Sequence, residues 1–375
     1  MEFRGLKTQY QNLKTEIDER VLGVMARAQF ISGTEVKELE QNLAEYVGTR
    51  HCITCANGTD ALELVLLAWG IGKGDAVFVP TFSFMSTAEV VASVGAFPLF
   101  VDIDPDTFNI DPEKLEQAII QAQNEGKYNL CAVIPVDLFG LPADYEGIAA
   151  IAKKYGLKVL EDGAQGFGGA IKGKRACSFG DAATTSFFPA KPLGCYGDGG
   201  AMFTDDDKLA LLLRSLTVHG KGTEKYDNVR IGRNSRLDTL QAAILLVKLK
   251  AFCEYELNAV NCAADEYTKQ LGGIVKTPVV PDGYLSSWAQ YTILLESEEQ
   301  RNELQAKLKE QGIPSMIYYP KSLHLQTAFA FCSLQEGAFP VAEKASRCVL
   351  SMPMHPYLDN EETKRVCMVI KDIVR

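Results

Sequence analysis

The chain has 375 residues, long for one hydrophobic core, so a large domain followed by a smaller one is expected. Its formal net charge of −10 argues against a nucleic-acid footprint, which needs a basic face, and 47% hydrophobic against 23% charged residues is an ordinary globular balance. No run approaches the about 18 apolar residues of a membrane span, and the first residues lack the apolar core of a secretion signal. Ten cysteines fall mostly inside apolar segments. The expectation is a cytoplasmic protein with free thiols and neither nucleic-acid nor membrane partners.

In chain order, Thr34 is placed to cap a helix whose apolar residues Val36, Leu39, Leu43 and Val47 share one face. Cys52-Ile-Thr-Cys55 is the one CxxC. With no second pair or histidine at metal spacing it reads as buried thiols, and no metal site is expected. Asn57-Gly58-Thr59-Asp60 opens a second helix over 61–69, apolar nearly all round. Apolar runs at 77–80, 97–101, 132–136 and 158–160 then alternate with helical stretches at 86–93, 112–123 and 145–155. That order, with continuous apolar strands, means an α/β fold with a mostly parallel sheet covered on both faces. Short strands at 184–188 and 201–204 flank the loop around Lys191. A helical pattern over 237–266 leads to a smaller α+β unit built from 291–296, a helix over 298–311, 316–319 and a closing helix over 361–373. The expected division is 1–250 for the large domain with an N-terminal arm and 251–375 for the small one.

Two segments carry the chemistry. Lys158-Val-Leu-Glu-Asp162-Gly-Ala-Gln165 delivers an acid and an amide to a strand's carboxyl end, and Lys191 follows Asp162 by 29 positions on a polar, glycine-flanked loop. Pyridoxal phosphate needs such a pair: a lysine to form the Schiff base and a carboxylate to keep a proton on the ring nitrogen. Taken alone, the two residues fit a surface lysine and a strand-end cap equally well. Gly58 and Thr59 at a helix start suit a phosphate, though a plain N-cap accounts for them too. Gly168-Gly-Ala-Ile-Lys-Gly173-Lys174 has the phosphate-loop spacing, but Arg175 replaces the hydroxyl residue and no helical pattern follows, so it reads as a glycine-rich connection. No dinucleotide fingerprint stands in a strand–turn–helix context, which excludes a nicotinamide oxidoreductase. His219 and Asp198-Gly-Gly200 carry no specific signal, and a lone His324 after a strand reads first as structural.

In order along the whole chain, Ala56-Asn-Gly-Thr-Asp-Ala61, Pro80-Thr-Phe-Ser-Phe84, Glu161-Asp-Gly-Ala-Gln165, Ser186-Phe-Phe-Pro-Ala-Lys191, Gly197-Asp-Gly-Gly-Ala201 and Asn234-Ser-Arg-Leu-Asp238 resemble the DegT/StrS family of pyridoxal phosphate-dependent nucleotide-sugar aminotransferases. The resemblance implies the aspartate-aminotransferase fold (fold type I), with a seven-stranded type of sheet in the large domain. It implies that Lys191 carries the cofactor, Asp162 pairs with the ring nitrogen and Gln165 contacts the ring hydroxyl. Gly58, Thr59 and Ser186, with Asn234 from a second subunit, would hold the phosphate, and Phe84 would cover the ring. Arg236 from the partner chain, Tyr319 and His324 would face substrate, so the functional unit would be a homodimer with shared sites. L-Glutamate would be the donor, pyridoxamine phosphate the alternate cofactor form, and a nucleotide-linked keto-sugar the acceptor.

Residues 192–200 and 234–246 are similar to the subgroup that aminates C3 of UDP-2-acetamido-2-deoxy-3-keto-glucuronate for bacterial surface polysaccharides. Arg233, Arg236, His324 and Lys221 are the cations at hand for a sugar acid. Tyr318 stands where many members have His, Gly163 where they have Ala, and Asp137 at a variable position. These departures keep open UDP-3-keto-N-acetylglucosamine or a dTDP-linked 3- or 4-keto-6-deoxy sugar. A branch that removes sugar hydroxyls has histidine in place of Lys191, and a non-catalytic sensor or scaffold would have lost the cofactor residues.

Overall fold

The structure, a computed structural model, describes residues 1–224 and 226–374. Helices α1 (Leu6–Arg27) and α2 (Thr34–Val47) precede β1 (His51–Cys55) and α3 (Gly58–Ala68). Alternation follows: β2 (Asp75–Pro80), α4 (Ser86–Ser93), β3 (Phe97–Val101), α5 (Pro112–Glu125), β4 (Asn129–Val133), α6 (Tyr145–Tyr155) and β5 (Lys158–Asp162). The hairpin β6 (Ala170–Ile171) and β7 (Lys174–Arg175) leads to β8 (Ala182–Ser186), β9 (Gly200–Thr204) and α7 (Asp207–Leu216). Helix α8 (Thr239–Ala251) runs through a π turn at Phe252–Glu256 into α9 (Leu257–Leu271). The chain ends with β10 (Tyr284–Leu285), β11 (Tyr291–Leu294), α10 (Glu298–Glu310), α11 (Pro340–Cys348), β12 (Val349–Met352) and α12 (Asn360–Val374).

The seven-stranded sheet has the order β1-β9-β8-β5-β4-β2-β3, and β9 alone runs against the others. Its strands read as unbroken apolar runs because both faces are covered. Val77 and Val79 join the layer of α3, α4 and α7, while the intervening Phe78 joins α5 and α6. Cys52, Ala183 and Phe203 pack under α2 and α8. A second core, around the antiparallel pair β11–β12, gathers Tyr267 of α9, Leu304 and Leu308 of α10 and Val366 and Ile370 of α12. Helix α1 lays Leu13 and Ile17 on Ile244 and Val247 of α8.

Several expected details differ. Thr34 is the first helical residue rather than the cap, and Gly33 holds the cap position without a side-chain bond. Helix α3 starts at Gly58, with the Asn57 side chain accepting from the Asp60 N–H at 2.8 Å. Residues 316–319 form no strand; only Met316 bridges to Ser351, and the two tyrosines turn their rings toward Phe3, Phe82 and Phe84 instead. Residues 168–175 fold back as the β6–β7 hairpin, turning at Lys172 and Gly173, with no helix to receive a phosphate. Cys52 and Cys55 are buried free thiols. Among the described residues no helix is long and apolar enough to cross a membrane.

Candidate active site

The sheet's parallel strands end together, and β5 delivers Asp162 there. Asp162 is 5% exposed; its Oδ2 accepts from the Thr87 hydroxyl of α4 at 2.9 Å, and its Oδ1 has a longer contact of 3.3 Å from the Ala164 N–H. Burial pushes this carboxyl up from the usual range, and Thr87 and the Lys191 charge hold it back. Lys191 sits on the loop after β8, its N–H donating to the Phe188 carbonyl at 2.9 Å. Its surface is partly open, yet protein surrounds the side chain closely. Desolvation brings the ammonium down to about 8, opposed by Asp162 and reinforced by Arg4. A lysine that sheds its proton more readily than usual beside a buried carboxylate is a poised nucleophile and base.

Gln165 is fixed from both ends: its carbonyl accepts from the Phe139 N–H at 2.9 Å and its amide donates to the Tyr319 hydroxyl at 3.2 Å. Phe84 leaves 54% of its surface open, with its ring 6.3 Å from that of Tyr319. A third corner forms at the start of α3, where the N–H groups of Gly58 and Thr59 precede the first intrahelical bond, from Ala61 to Asn57. A Cβ on Gly58 would lie 2.7 Å from that of Ser186, and one on Gly200 would lie 2.5 Å from the Asn57 carbonyl carbon. Only glycines let these three backbones converge. The Thr59 hydroxyl meets that of Ser86 at 2.7 Å.

Behind Asp162 lies a buried pair of acids. Glu161 accepts from the backbone N–H groups of Cys177 and Phe179, while Asp137 Oδ1 accepts from the Ala143 N–H at 3.1 Å and the Tyr145 hydroxyl at 2.8 Å. Asp137 Oδ2 has no other donor and turns to Glu161. Two buried carboxyls so close disfavour each other's ionisation. Asp137 rises to about 7 and Glu161 well above its usual range, desolvation being the larger cause in each. The departures noted above acquire reasons here. A Cβ on Gly163 would sit 2.6 Å from the Cys177 sulfur, and one on Gly166 would sit 2.2 Å from Asp137 Oδ2.

Other expected residues stand elsewhere. His324 is 2% exposed, with Nδ1 on the Thr81 hydroxyl at 2.7 Å and Nε2 on Glu343 at 3.2 Å. Both ring nitrogens are engaged within the protein, so the structure does not present it to a substrate. Arg233 pairs with Glu63 at 2.9 Å. Asn234 is exposed and receives a bond from the half-buried Arg236, with no contact to Lys191 in the same chain. The cation that does stand at Lys191 is Arg4, which the sequence reading missed: nothing in Phe3-Arg-Gly marks it until the fold brings it in.

A buried acid beside a poised lysine, an open aromatic face and a glycine-lined helix start together suit a phosphorylated pyridine aldehyde. The DegT/DnrJ/EryC1/StrS aminotransferase profile matches residues 11–371. The chain belongs to this family. It is a pyridoxal phosphate-dependent aminotransferase of fold type I. Within the family it is 47% identical over 373 residues, 99% of both chains, to UDP-2-acetamido-2-deoxy-3-oxo-D-glucuronate aminotransferase of Pseudomonas aeruginosa. A family crystal structure from Brucella abortus superposes with a TM-score of 0.96, at 50% identity over 99% of each chain. A Bacillus subtilis structure with bound cofactor pyridoxamine phosphate gives 0.87 at 33% identity, covering 97% of this chain and 82% of that one.

Proposed function

We propose that the protein transfers the amino group of L-glutamate to C3 of UDP-2-acetamido-2-deoxy-3-keto-glucuronate, acting in the cytoplasm as a homodimer in bacterial surface polysaccharide synthesis. The observation that carries the chemistry is Lys191, whose ammonium desolvation brings down to about 8 beside the buried Asp162. The choice of acceptor rests on the similarity to the Pseudomonas aeruginosa enzyme. The separate core around β11 and β12 supports a division near the π turn, close to 250/251, while Leu323, Phe329, Ala342 and Ala345 return to the cores of the large domain.

Bound here, pyridoxal phosphate supplies an aldehyde that condenses with amines and a ring that delocalises the electron pair left when a neighbouring proton departs. Asp162 would pair with the ring nitrogen and favour a proton there. The start of α3, with Gly58, Thr59 and Ser186, binds the phosphate through N–H and hydroxyl donors. Gln165, locked by Phe139 and Tyr319, would contact the ring hydroxyl, and Phe84 would cover the ring. Lys191 would hold the cofactor's aldehyde and, as a base, would take and return the proton at the donor's α-carbon. Asn234 and Arg236 serve the site of a second copy, completing the phosphate and substrate sides.

The test is a protein loaded with pyridoxamine phosphate and offered three acceptors: the 3-keto uronate, UDP-3-keto-N-acetylglucosamine and a dTDP-4-keto-6-deoxy sugar. Return of the pyridoxal absorbance with the first is expected. Preference for the dTDP sugar would overturn the acceptor, and silence with every acceptor and with glutamate would favour a sensor.

A further inference from the structure

Arg4 has no place in the roles above. It belongs to the segment before α1, and its Nη1 donates to the carbonyls of Ala289 at 2.8 Å and Met354 at 2.9 Å. Its Nε is buried without a partner. Together with Lys191 it lines a small cavity that Gln9, Glu256 and Trp288 also border. Glu256 is already engaged, by the Gln9 amide at 2.9 and 3.1 Å and by the Tyr357 hydroxyl at 2.5 Å.

The charges there do not balance. Burial lowers Arg4 to about 10 and the neighbouring Lys248 to about 8, and Glu256 opposes both shifts. One carboxylate thus faces two cations, the buried Lys248 and the half-buried Arg4. His355, against Gly5, adds no charge: its ring nitrogens are buried without partners, and burial and Arg4 push it down to about 4. Tyr318 also feels Arg4 and stays neutral, since burial raises its hydroxyl. A guanidinium with surplus charge and an unpaired buried N–H is built to receive an anion.

We infer that Arg4 is a substrate-binding residue that takes a carboxylate brought to Lys191, either the amino donor's or the acceptor's uronate. Every amino-acid donor carries a carboxylate on the carbon that must reach the lysine. Of the four cations expected for a sugar acid, His324 and Arg233 are engaged elsewhere. This rests on the aminotransferase reading.

Arg4→Gln and Arg4→Lys, loaded with cofactor, would be followed by absorbance in each half-reaction. Arg4→Gln is expected to raise the half-saturating concentration of the carboxylate substrate about 10- to 100-fold. Cofactor absorbance and conversion of neutral UDP-3-keto-N-acetylglucosamine should stay as in the unaltered protein, and Arg4→Lys should recover part of the loss. A shift confined to glutamate assigns the donor, and one confined to the uronate assigns the acceptor; both support the inference. Equal weakening of the neutral sugar, or no shift with either acid, overturns it and leaves Arg4 a staple of the N-terminal segment. Calorimetry on the unaltered protein needs no variant to fold: glutarate should bind at least about 10-fold tighter than neutral glutaramide, and equal binding would again overturn it. Absence of any transamination by the unaltered protein would sink the functional reading instead, with the glutarate comparison still deciding this one.

Discussion

Replacing Gly58 by alanine sets two effects against each other at the phosphate corner. Alanine favours a helix over glycine by about 1 kcal/mol in an interior position and by less at a first turn. Against that, the new Cβ would lie 2.7 Å from Ser186 Cβ, 3.2 Å from its Oγ and 3.3 Å from its Cα. Carbon atoms rest about 3.5–4.0 Å apart, so the start of α3 or the end of β8 must yield by most of an ångström. Overpacking of this kind costs about 1–3 kcal/mol, which outweighs the propensity gain. The shift also moves the Gly58 and Thr59 N–H groups off the phosphate. Loss of one charge-assisted bond there weakens cofactor binding by about 10- to 100-fold. The assay is titration of cofactor-free Gly58→Ala with pyridoxal phosphate, followed by absorbance, beside thermal melting. Adding Ser186→Gly should recover melting, since it removes the clashing carbon, but not affinity, since it also removes a hydroxyl. Unchanged cofactor affinity in Gly58→Ala would show that the three backbones do not form the phosphate seat.

Asp162→Asn keeps shape and loses charge; a loss of ~4 kcal/mol of electron-pair stabilisation predicts turnover down about a thousandfold. Near-normal single-turnover rates would reduce Asp162 to a strand-end residue. Because Lys191 lies near 8, capture of pyridoxal phosphate by the cofactor-free protein should speed up with pH until about 8 and then level, since only the neutral amine attacks. A rate still climbing at pH 10, as for an ordinary lysine, contradicts the desolvated setting. Inactive Lys191→Ala chains mixed with inactive Arg236→Ala or Asn234→Ala chains should regain activity, because one site in the mixed dimer receives both intact halves. No recovery after proven subunit exchange places those residues in their own chain's site.

The sheet was legible wherever burial on both faces forced a continuous apolar run, as at Val77-Phe78-Val79, and the site wherever one short segment carried several functional groups, as around Asp162 and Lys191. Less was legible where a partner comes from far along the chain. Strand β1 owes its place to β9, which pairs with it from His51↔Thr204 to Cys55↔Gly200. Helix α1 shows only a thin stripe, and its buried Gln9 answers Glu256 of the π turn. Sequence pattern records which face of an element is apolar; it does not record which distant polar group will meet it. His324 and Arg4 illustrate both sides of this, since a histidine after an expected strand attracted attention and an arginine near the first residue did not.

The segment carrying Arg4 also orders events during synthesis. Phe3 accepts from Met354, Arg4 reaches Met354 across 350 positions, and Gln9 reaches Glu256 across 247. These residues precede their partners by 247 and 350 positions, so a long stretch of chain must emerge before those partners exist. The lysine loop is therefore sealed last, and a polypeptide stalled before about residue 289 holds its catalytic strands without a finished pocket.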